Sequence, residues 1–308
     1  MQRVTTFLLL LVLSKLLLAQ PLGGERVDFQ SANVDATKVV LRGMLFKPRG
    51  TPRGGVVLVH GSSGWNDPRE GHYGRALSAA GYLVLAVDSF GARGVTSTAE
   101  DQARLSTLQM TMDAFAARRY LLELGIDSKR TAIMGASKGG QVALFAADRT
   151  FLPAETDRFS LAIPFYPGCN NRPLEPKPTA SMFMILGEKD DYTGVKPCQD
   201  IANSFASAGG SVQVKIYPNS THGFDGDPQN VRMFRLPTVE NFIDCVADVD
   251  SEGQLIYAGK KFASGDLSVV AEMRKSCVKK GATMWTNPTQ KQQVTEDVVS
   301  FLNAAFPQ

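Results

Sequence analysis

The sequence predicts an α/β protein in which a mostly parallel β-sheet is covered by helices on both faces. Three observations support this class. Apolar runs rich in β-branched residues alternate along the chain with segments whose apolar residues recur at helical spacing. The strand-like runs are continuously apolar, which is typical of strands buried on both faces. Glycines or short polar stretches separate the segments, and no low-complexity linker divides the 308-residue chain.

The predicted strands are short apolar runs in a regular succession. Two lie within residues 27–48 and include KVVLRGMLF. Later runs in chain order are VVLVHG, YLVLAVD, TAIMG, LAIPFYPG, SMFMILG and VQVKIYP. Their length and their content of Val, Ile, Phe and Tyr favour strands over helices.

Helices are predicted between these strands. YGRALSAAG forms one that ends at Gly81, and residues 100–124, QVALFAAD and CQDIANSFASAGG form others. The closing helix is TEDVVSFLNAAF, with Thr295 as its predicted N-cap. Residues 226–290 break the rhythm, because they fall between the last strand and the closing helix. We expect a helical insertion there.

Composition excludes several classes of protein. Apolar residues make up 44% of the chain and charged residues 20%, which excludes collagen, low-complexity chains and proteins with many membrane spans. The formal net charge is +3, from 33 Lys and Arg against 30 Asp and Glu. Nucleic-acid-binding domains normally carry a strong basic excess, so we expect no nucleic-acid partner.

Residues 1–20, MQRVTTFLLLLVLSKLLLAQ, have the pattern of a secretory signal peptide. Arg3 precedes an apolar run that is too short for a spanning helix of about 20 residues. We predict that residues 1–19 are removed after Ala19, and that residues 20–308 form one exported domain in the periplasm or the medium. A retained membrane anchor is the alternative; after cleavage we expect no stable membrane insertion.

The cysteines Cys169, Cys198, Cys245 and Cys277 all lie in the predicted mature chain. An even number in an exported chain favours disulfides. Cys169 and Cys198 each follow one of two consecutive strands and should reach the same rim, whereas the other two lie in the insertion. We therefore predict the pairs Cys169–Cys198 and Cys245–Cys277. With no CxxC pair and three histidines, the sequence predicts no metal site and no cofactor.

Residues 135–139, GASKG, match G-x-S-x-G and stand between a predicted strand and a predicted helix. In α/β-hydrolases this context places a nucleophilic serine, here Ser137, on a sharp turn above the sheet edge. The backbone N–H of Lys138, at the start of the helix, is then a predicted oxyanion-hole donor. The alternative is an ordinary turn that contains a serine.

A serine hydroxyl needs a base beside it. In α/β-hydrolases the chain order is Ser, then Asp or Glu, then His. His222 is the one histidine after Ser137, and it follows the strand VQVKIYP. The segment after SMFMILG offers Glu188, Asp190 and Asp191. We predict Asp190 as the acid that orients the imidazole, with Asp191 as the alternative.

Three loop residues near the same edge are further candidates. The backbone N–H of Ser62, after VVLVHG, is the predicted second oxyanion-hole donor. Arg93 could pair with a substrate carboxylate, and Trp65 could line the acyl pocket. The alternative for Arg93 is a structural role in its own loop.

Taken together, these motifs resemble those of the dienelactone hydrolase family of α/β-hydrolases. The similar segments, in order, are HGSSGWN, AVDSFGARG, MGASKGG, FYPGC, LGEKDDYT and YPNSTHGFD. The resemblance implies an α/β-hydrolase fold and a serine hydrolase that cleaves a carboxylic ester or lactone of small size, with Ser137, Asp190 and His222 as its triad. The namesake enzymes carry cysteine as nucleophile, so the serine points to a more general carboxylesterase.

Two other functions remain open at this point. An amidase or peptidase would use the same triad, and a non-catalytic binding protein could keep the same fold. For residues 226–290 we expect a disulfide-closed helical hairpin near the active-site mouth, with its helices within residues 236–249 and 265–281. It is either a lid over the site or a structural elaboration of the domain.

Overall fold

The computed structural model describes residues 23–307, so the predicted signal peptide lies outside the described residues. The strands in chain order are β1 (Glu25–Ala32), β2 (Lys38–Phe46), β3 (Gly55–Val59), β4 (Leu83–Asp88), β5 (Thr131–Ala136), β6 (Leu161–Phe165), β7 (Asn171–Pro173), β8 (Ser181–Gly187), β9 (Val212–Tyr217), β10 (Phe234–Asn241), β11 (Ala247–Val249), β12 (Leu255–Tyr257), β13 (Lys260–Phe262) and β14 (Lys279–Met284). The helices are α1 (His72–Ala79), α2 (Thr107–Glu123), α3 (Lys138–Ala146), α4 (Val195–Ser207), α5 (Ser268–Ser276) and α6 (Pro288–Ala305).

Eight strands form the central sheet, in the order β1-β2-β4-β3-β5-β6-β8-β9. The β1–β2 and β2–β4 pairs are antiparallel, and the other pairs are parallel. Every residue of β3, β5 and β6 is buried, as continuous apolar runs predict. The predicted fold class, a mostly parallel sheet flanked by helices, is therefore confirmed.

Two apolar clusters cover the faces of the sheet. Alternate residues of β3 belong to different clusters, Val57 to one and Val56 to the other, because successive side chains of a strand point to opposite faces. The first cluster packs against α2, α3 and α4, and the second against α1 and α6. The carboxyl ends of the parallel strands thus stay open at one edge, where loops can carry functional side chains.

The closing helix begins earlier than the sequence predicts. Its N-cap is Asn287, whose side chain accepts the backbone N–H of Gln290, and Pro288 occupies the first turn. Thr295 lies inside the helix, where its hydroxyl donates to the carbonyl of Lys291. The prediction of Thr295 as N-cap is wrong because the Asn-Pro pair already supplies a cap and a suitable first residue.

The insertion, residues 226–290, differs from the helical hairpin that we expected. It contains one helix, α5, together with the β10–β14 pair and the β11–β12–β13 strands, of which β11 also pairs with β7. The helix predicted within residues 265–281 is present over residues 268–276, and the helix predicted for residues 236–249 is wrong. Apolar residues there recur at helical spacing, but Pro237 and the β-branched Thr238 and Val239 suit an edge strand, and β14 supplies the partner.

Both predicted disulfides are present, Cys169–Cys198 and Cys245–Cys277. The first joins the loop after β6 to α4. The second joins the turn between β10 and β11 to the residue after α5, so it closes a strand-and-helix unit instead of two helices. Among residues 23–307, no helix is long and apolar enough to cross a membrane.

Candidate active site

Ser137 occupies the turn between β5 and α3 with φ 57° and ψ −116°, a backbone conformation that non-glycine residues rarely adopt. The flanking glycines explain how the turn can be so tight. A Cβ on Gly135, in β5, would lie 2.5 Å from the carbonyl carbon of Gly139, in α3, and one on Gly139 would lie 2.7 Å from the carbonyl oxygen of His60, just after β3. The strand and the helix therefore approach as closely as the G-x-S-x-G motif predicts.

The two predicted oxyanion-hole residues lie beside this turn. Lys138 begins α3, so its backbone N–H is among those that a helix leaves unpaired at its N-terminus. A Cβ on Gly61 would lie 3.5 Å from Ser137 Cβ, so the loop that carries Ser62 passes directly alongside the serine. Ser62, Ser137 and Lys138 line one cavity.

Asp190 and His222 form a buried hydrogen-bonded pair, with 2.8 Å between Oδ2 and Nδ1. The backbone N–H groups of Tyr192 and Thr193 donate to the other carboxylate oxygen. Burial by itself would raise the pKa of Asp190, but His222 and these N–H donors outweigh it and lower that pKa. The carboxylate is thus held ionised against Nδ1, which leaves Nε2 as the nitrogen that can act as a base.

The neighbouring acids of the same segment point elsewhere. Asp191 accepts hydrogen bonds from the backbone and the hydroxyl of Thr283, and Glu188 accepts the N–H of Asn219. Of the acids that the sequence offers, the structure brings Asp190 to the histidine.

Aromatic rings fix the orientation of the imidazole. Tyr166 and Tyr192 both meet the ring of His222 edge-on, with centroids 4.7 and 4.8 Å away.

The N–H of Ser137 donates to the carbonyl of Phe165, which ties the serine turn to the residue before Tyr166. Within residues 23–307, no hydrogen bond joins Ser137 Oγ to His222. Such contacts often tighten only when substrate binds.

A buried polar cluster behind Tyr166 was not predicted from the sequence. Asp225 is completely buried and accepts hydrogen bonds from the hydroxyls of Tyr73 and Tyr166, with Arg69 Nε 3.4 Å away. Burial would raise the pKa of Asp225, but Arg69 and the two hydroxyls lower it. Asp225 thereby holds the ring that packs on His222. The one signal in the sequence is its place in the motif HGFD, three residues after His222.

The side chain of Lys138 also has a role that the motif does not indicate. Its buried Nζ donates to Thr98 Oγ1, to the carbonyl and side-chain oxygens of Gln102 and to the carbonyl of Leu105, at 2.5–3.3 Å. Burial lowers the pKa of Lys138 to about 7. The lysine therefore fixes the segment around Gln102, whose amide in turn donates to Ser62 Oγ.

The cavity above Ser137 is lined in large part by the insertion. Its polar floor includes Gln102, Gln141 and Asn170 besides the serine turn. The insertion lines the cavity with mainly apolar residues: Glu240, Phe242, Ile243, Val246, Val249, Gly253, Leu255, Ser264, Gly265, Asp266, Leu267, Val269, Val270 and Met273. Residues 226–290 thus lie at the mouth of the site.

Neither loop residue that we considered for substrate binding lines this cavity. Arg93 turns inward and forms a two-pronged ion pair with the buried Asp113, at 2.8 and 2.9 Å. Trp65 packs, partly buried, on the sheet face that α1 and α6 cover. The contacts of Arg93 are those of the structural alternative, and Trp65 packs away from this cavity.

Comparisons with known proteins agree with this architecture. Protein usf of Aquifex pyrophilus is 25% identical over 214 residues, which cover 65% of this chain and 87% of that protein. The apo form of Thermogutta terrifontis esterase 2 is 19% identical. The alignment covers 67% of this chain and 87% of the esterase chain, with a TM-score of 0.53. A dienelactone hydrolase-like promiscuous phosphotriesterase from metagenomic libraries is 16% identical. The alignment covers 92% of this chain and 99% of that protein, with a TM-score of 0.57. At these identities, the two structures are evidence for the fold.

The family assignment rests on a different comparison. The model of the dienelactone hydrolase family matches residues 41–239, which is more than half of the chain. The match runs from β2 into β10 and includes Ser137, Asp190 and His222. It supports a hydrolase activity. The chain belongs to the dienelactone hydrolase family.

Proposed function

We propose that this protein is a serine hydrolase that cleaves a carboxylic ester or lactone through an acyl-enzyme intermediate. The observation that carries the proposal is the buried Asp190–His222 pair, placed at the same sheet edge as the strained turn of Ser137. A dry, pre-oriented pair of this kind is what a weak serine nucleophile needs for activation.

The reaction begins when Ser137 Oγ attacks the carbonyl carbon of the ester and gives its proton to His222 Nε2. Negative charge develops on the former carbonyl oxygen, where the N–H groups of Ser62 and Lys138 stabilise it. Asp190 stabilises the imidazolium without taking its proton. When the tetrahedral intermediate collapses, the proton passes to the departing alcohol, and water then releases the acid from Ser137 by the same steps.

Labelling with a fluorophosphonate tests this proposal directly. We expect stoichiometric labelling at Ser137, loss of p-nitrophenyl acetate hydrolysis after labelling, and neither labelling nor hydrolysis in Ser137→Ala. Ser181→Ala is the matched control, because Ser181 begins β8 and does not line the cavity. Labelling at another residue, or more than about a tenth of the wild-type rate in Ser137→Ala, would contradict the assignment, since loss of a triad member typically lowers the rate about 10⁴-fold or more.

Export remains part of the proposal. The two disulfides favour an oxidising compartment, in line with the signal-peptide pattern of residues 1–19. N-terminal sequencing of the protein from the periplasm or the medium should give a chain that begins at Gln20. An N-terminus at Met1 in a membrane fraction would support a retained anchor instead.

A further inference from the structure

The cavity above Ser137 combines a polar floor with an apolar far end, and this division indicates what it binds. We propose that the site takes uncharged esters with a bulky apolar arm, and that the apolar face of the insertion binds that arm. This inference rests on the proposed function, since it names the class of substrate for the same serine. The residues that carry it belong to the turn after β10 and to α5.

The apolar end is built from two side-chain groups that meet around the cavity. Phe242 and Ile243 follow β10, while Val269, Val270 and Met273 project from α5. Behind them, the Cys245–Cys277 bridge belongs to the same apolar cluster and joins the two groups. The wall continues onto the stacked rings of Phe145 and Phe151, whose centroids are 3.9 Å apart. An extended apolar arm that leaves Ser137 would therefore meet hydrocarbon on several sides.

The charged groups of the cavity disfavour an anionic arm. Within the described residues that line it, Lys138, Glu240 and Asp266 carry a formal charge. Lys138 Nζ is surrounded by the protein oxygens described above. Glu240 pairs with Arg274 at 2.7 Å and accepts the N–H of Gln102. Asp266 is exposed at the rim and accepts the N–H of Ser268.

Lys138, the one cation among the described lining residues, is already engaged, so the wall offers no free cation to a carboxylate ligand. Burying an unpaired carboxylate among apolar side chains is strongly unfavourable. By contrast, each buried methylene of an apolar arm should raise kcat/KM by about fourfold, up to the length that the cavity can hold. The value of kcat/KM should thus increase with the apolar length of the substrate and fall when a carboxylate is added at its end.

Three p-nitrophenyl esters test this: the acetate, the hexanoate and the adipate monoester, whose acyl chain has the length of hexanoate but ends in a carboxylate. We expect kcat/KM for hexanoate to exceed that for acetate at least tenfold. The adipate monoester should be at least a hundredfold slower than hexanoate. An acetate value equal to or above that of hexanoate, or an adipate value equal to hexanoate, would overturn the inference.

Substitutions in the insertion test whether its side chains cause the preference for hexanoate over acetate. Phe242→Ala should lower the hexanoate-to-acetate ratio at least fivefold, and Ile243→Ala provides a second test should the first variant fold poorly. Phe234→Ala is the control, because Phe234 is an exposed phenylalanine of the same insertion outside the cavity; its ratio should equal that of wild type. An unchanged ratio in both cavity variants would contradict the assignment of the arm to the insertion.

Failure of this inference is distinguishable from failure of the proposed function. If Ser137 is labelled by the fluorophosphonate and acetate is hydrolysed, but the three esters show no preference, the substrate class alone is wrong. If neither labelling nor hydrolysis of any ester occurs, the proposed function is wrong as well.

Discussion

Asp191 holds Thr283 through two hydrogen bonds, one from the backbone N–H at 2.8 Å and one from the hydroxyl at 2.7 Å. Thr283 belongs to β14, so this contact joins the turn after β8 to the insertion. Its neighbour Asp190 turns the other way, into the buried pair with His222. Two adjacent carboxylates thus have separate functions, and substitution can tell them apart.

Asp190→Asn should lower kcat by a factor of about 10³–10⁴, because an amide no longer selects the tautomer of His222 in which Nε2 accepts a proton. Asp191→Asn, the matched control, should change kcat less than tenfold, since it weakens a contact with the insertion only. The measurement is kcat and KM on an activated ester. A larger loss in Asp191→Asn than in Asp190→Asn would reverse the assignment.

Arg93→Met should destabilise the fold without weakening substrate binding. The substitution leaves Asp113, which is buried, without its cationic partner, and breaking such a pair costs about 3–5 kcal/mol in the free energy of unfolding. Denaturant unfolding should show this loss, with KM changed less than twofold. Arg104→Met, at an exposed arginine, should leave stability unchanged. A raised KM with full stability would restore the substrate-binding interpretation of Arg93.

The protonation of Glu70 should make the free energy of unfolding depend on pH. Burial raises its pKa to about 7, against the opposing charge of Arg69. The folded protein therefore holds this proton more tightly than the unfolded chain, and the resulting stabilisation is complete below pH about 4.5 and is lost as pH rises through about 7. Over that window, the free energy of unfolding of wild type should fall by about 3 kcal/mol relative to Glu70→Gln.

Asp67→Asn is the control for this pH dependence. Asp67 is largely exposed and pairs with Arg75, which lowers its pKa. The lowered pKa gives a contribution of opposite sign, lost as the pH falls. Parallel stability curves for wild type and Glu70→Gln between pH 4.5 and 7 would show that Glu70 titrates like an exposed glutamate.

Removing the bridge of the insertion by the double substitution Cys245→Ser, Cys277→Ser should weaken that unit. The two cysteines are 32 residues apart, for which the chain-entropy model gives about 3–4 kcal/mol. We expect faster amide exchange in residues 234–284 and little change in the central sheet. Peptide mapping without reductant should recover Cys245 joined to Cys277 from wild type; Cys245 joined to Cys169 or Cys198 would contradict the structure.

The central sheet could be predicted from the sequence because each of its buried strands is marked by a short apolar run. A run such as VVLV, residues 56–59, is apolar at every position, and burial on both faces follows from that run alone. Residues 234–249 lack such a signal, since their apolar residues fit a helix as well as a strand. The partner of β10, β14, lies about 40 residues later, and the hydrogen bonds that decide between helix and strand in β10 come from it.

The same contrast explains the site. Ser137 was identifiable because a tight turn between strand and helix requires glycines at fixed positions. Asp190 was separable from Asp191 only by the direction of each side chain, which spacing does not specify. The sequence left two roles open for Arg93, because the loop places it near the rim, whereas its partner Asp113 comes from α2 and belongs to no motif. Partners that come from distant elements leave no pattern in a single segment.

The four cysteines pair in chain order, the first with the second and the third with the fourth: Cys169 with Cys198 and Cys245 with Cys277. A chain that emerges from a ribosome or a translocation channel with its N-terminus first exposes the members of each pair in succession. An oxidant that joins thiols in their order of appearance would therefore make both native bonds directly, without an intermediate that must be broken again. With export as proposed, both native disulfides should therefore form without a disulfide isomerase.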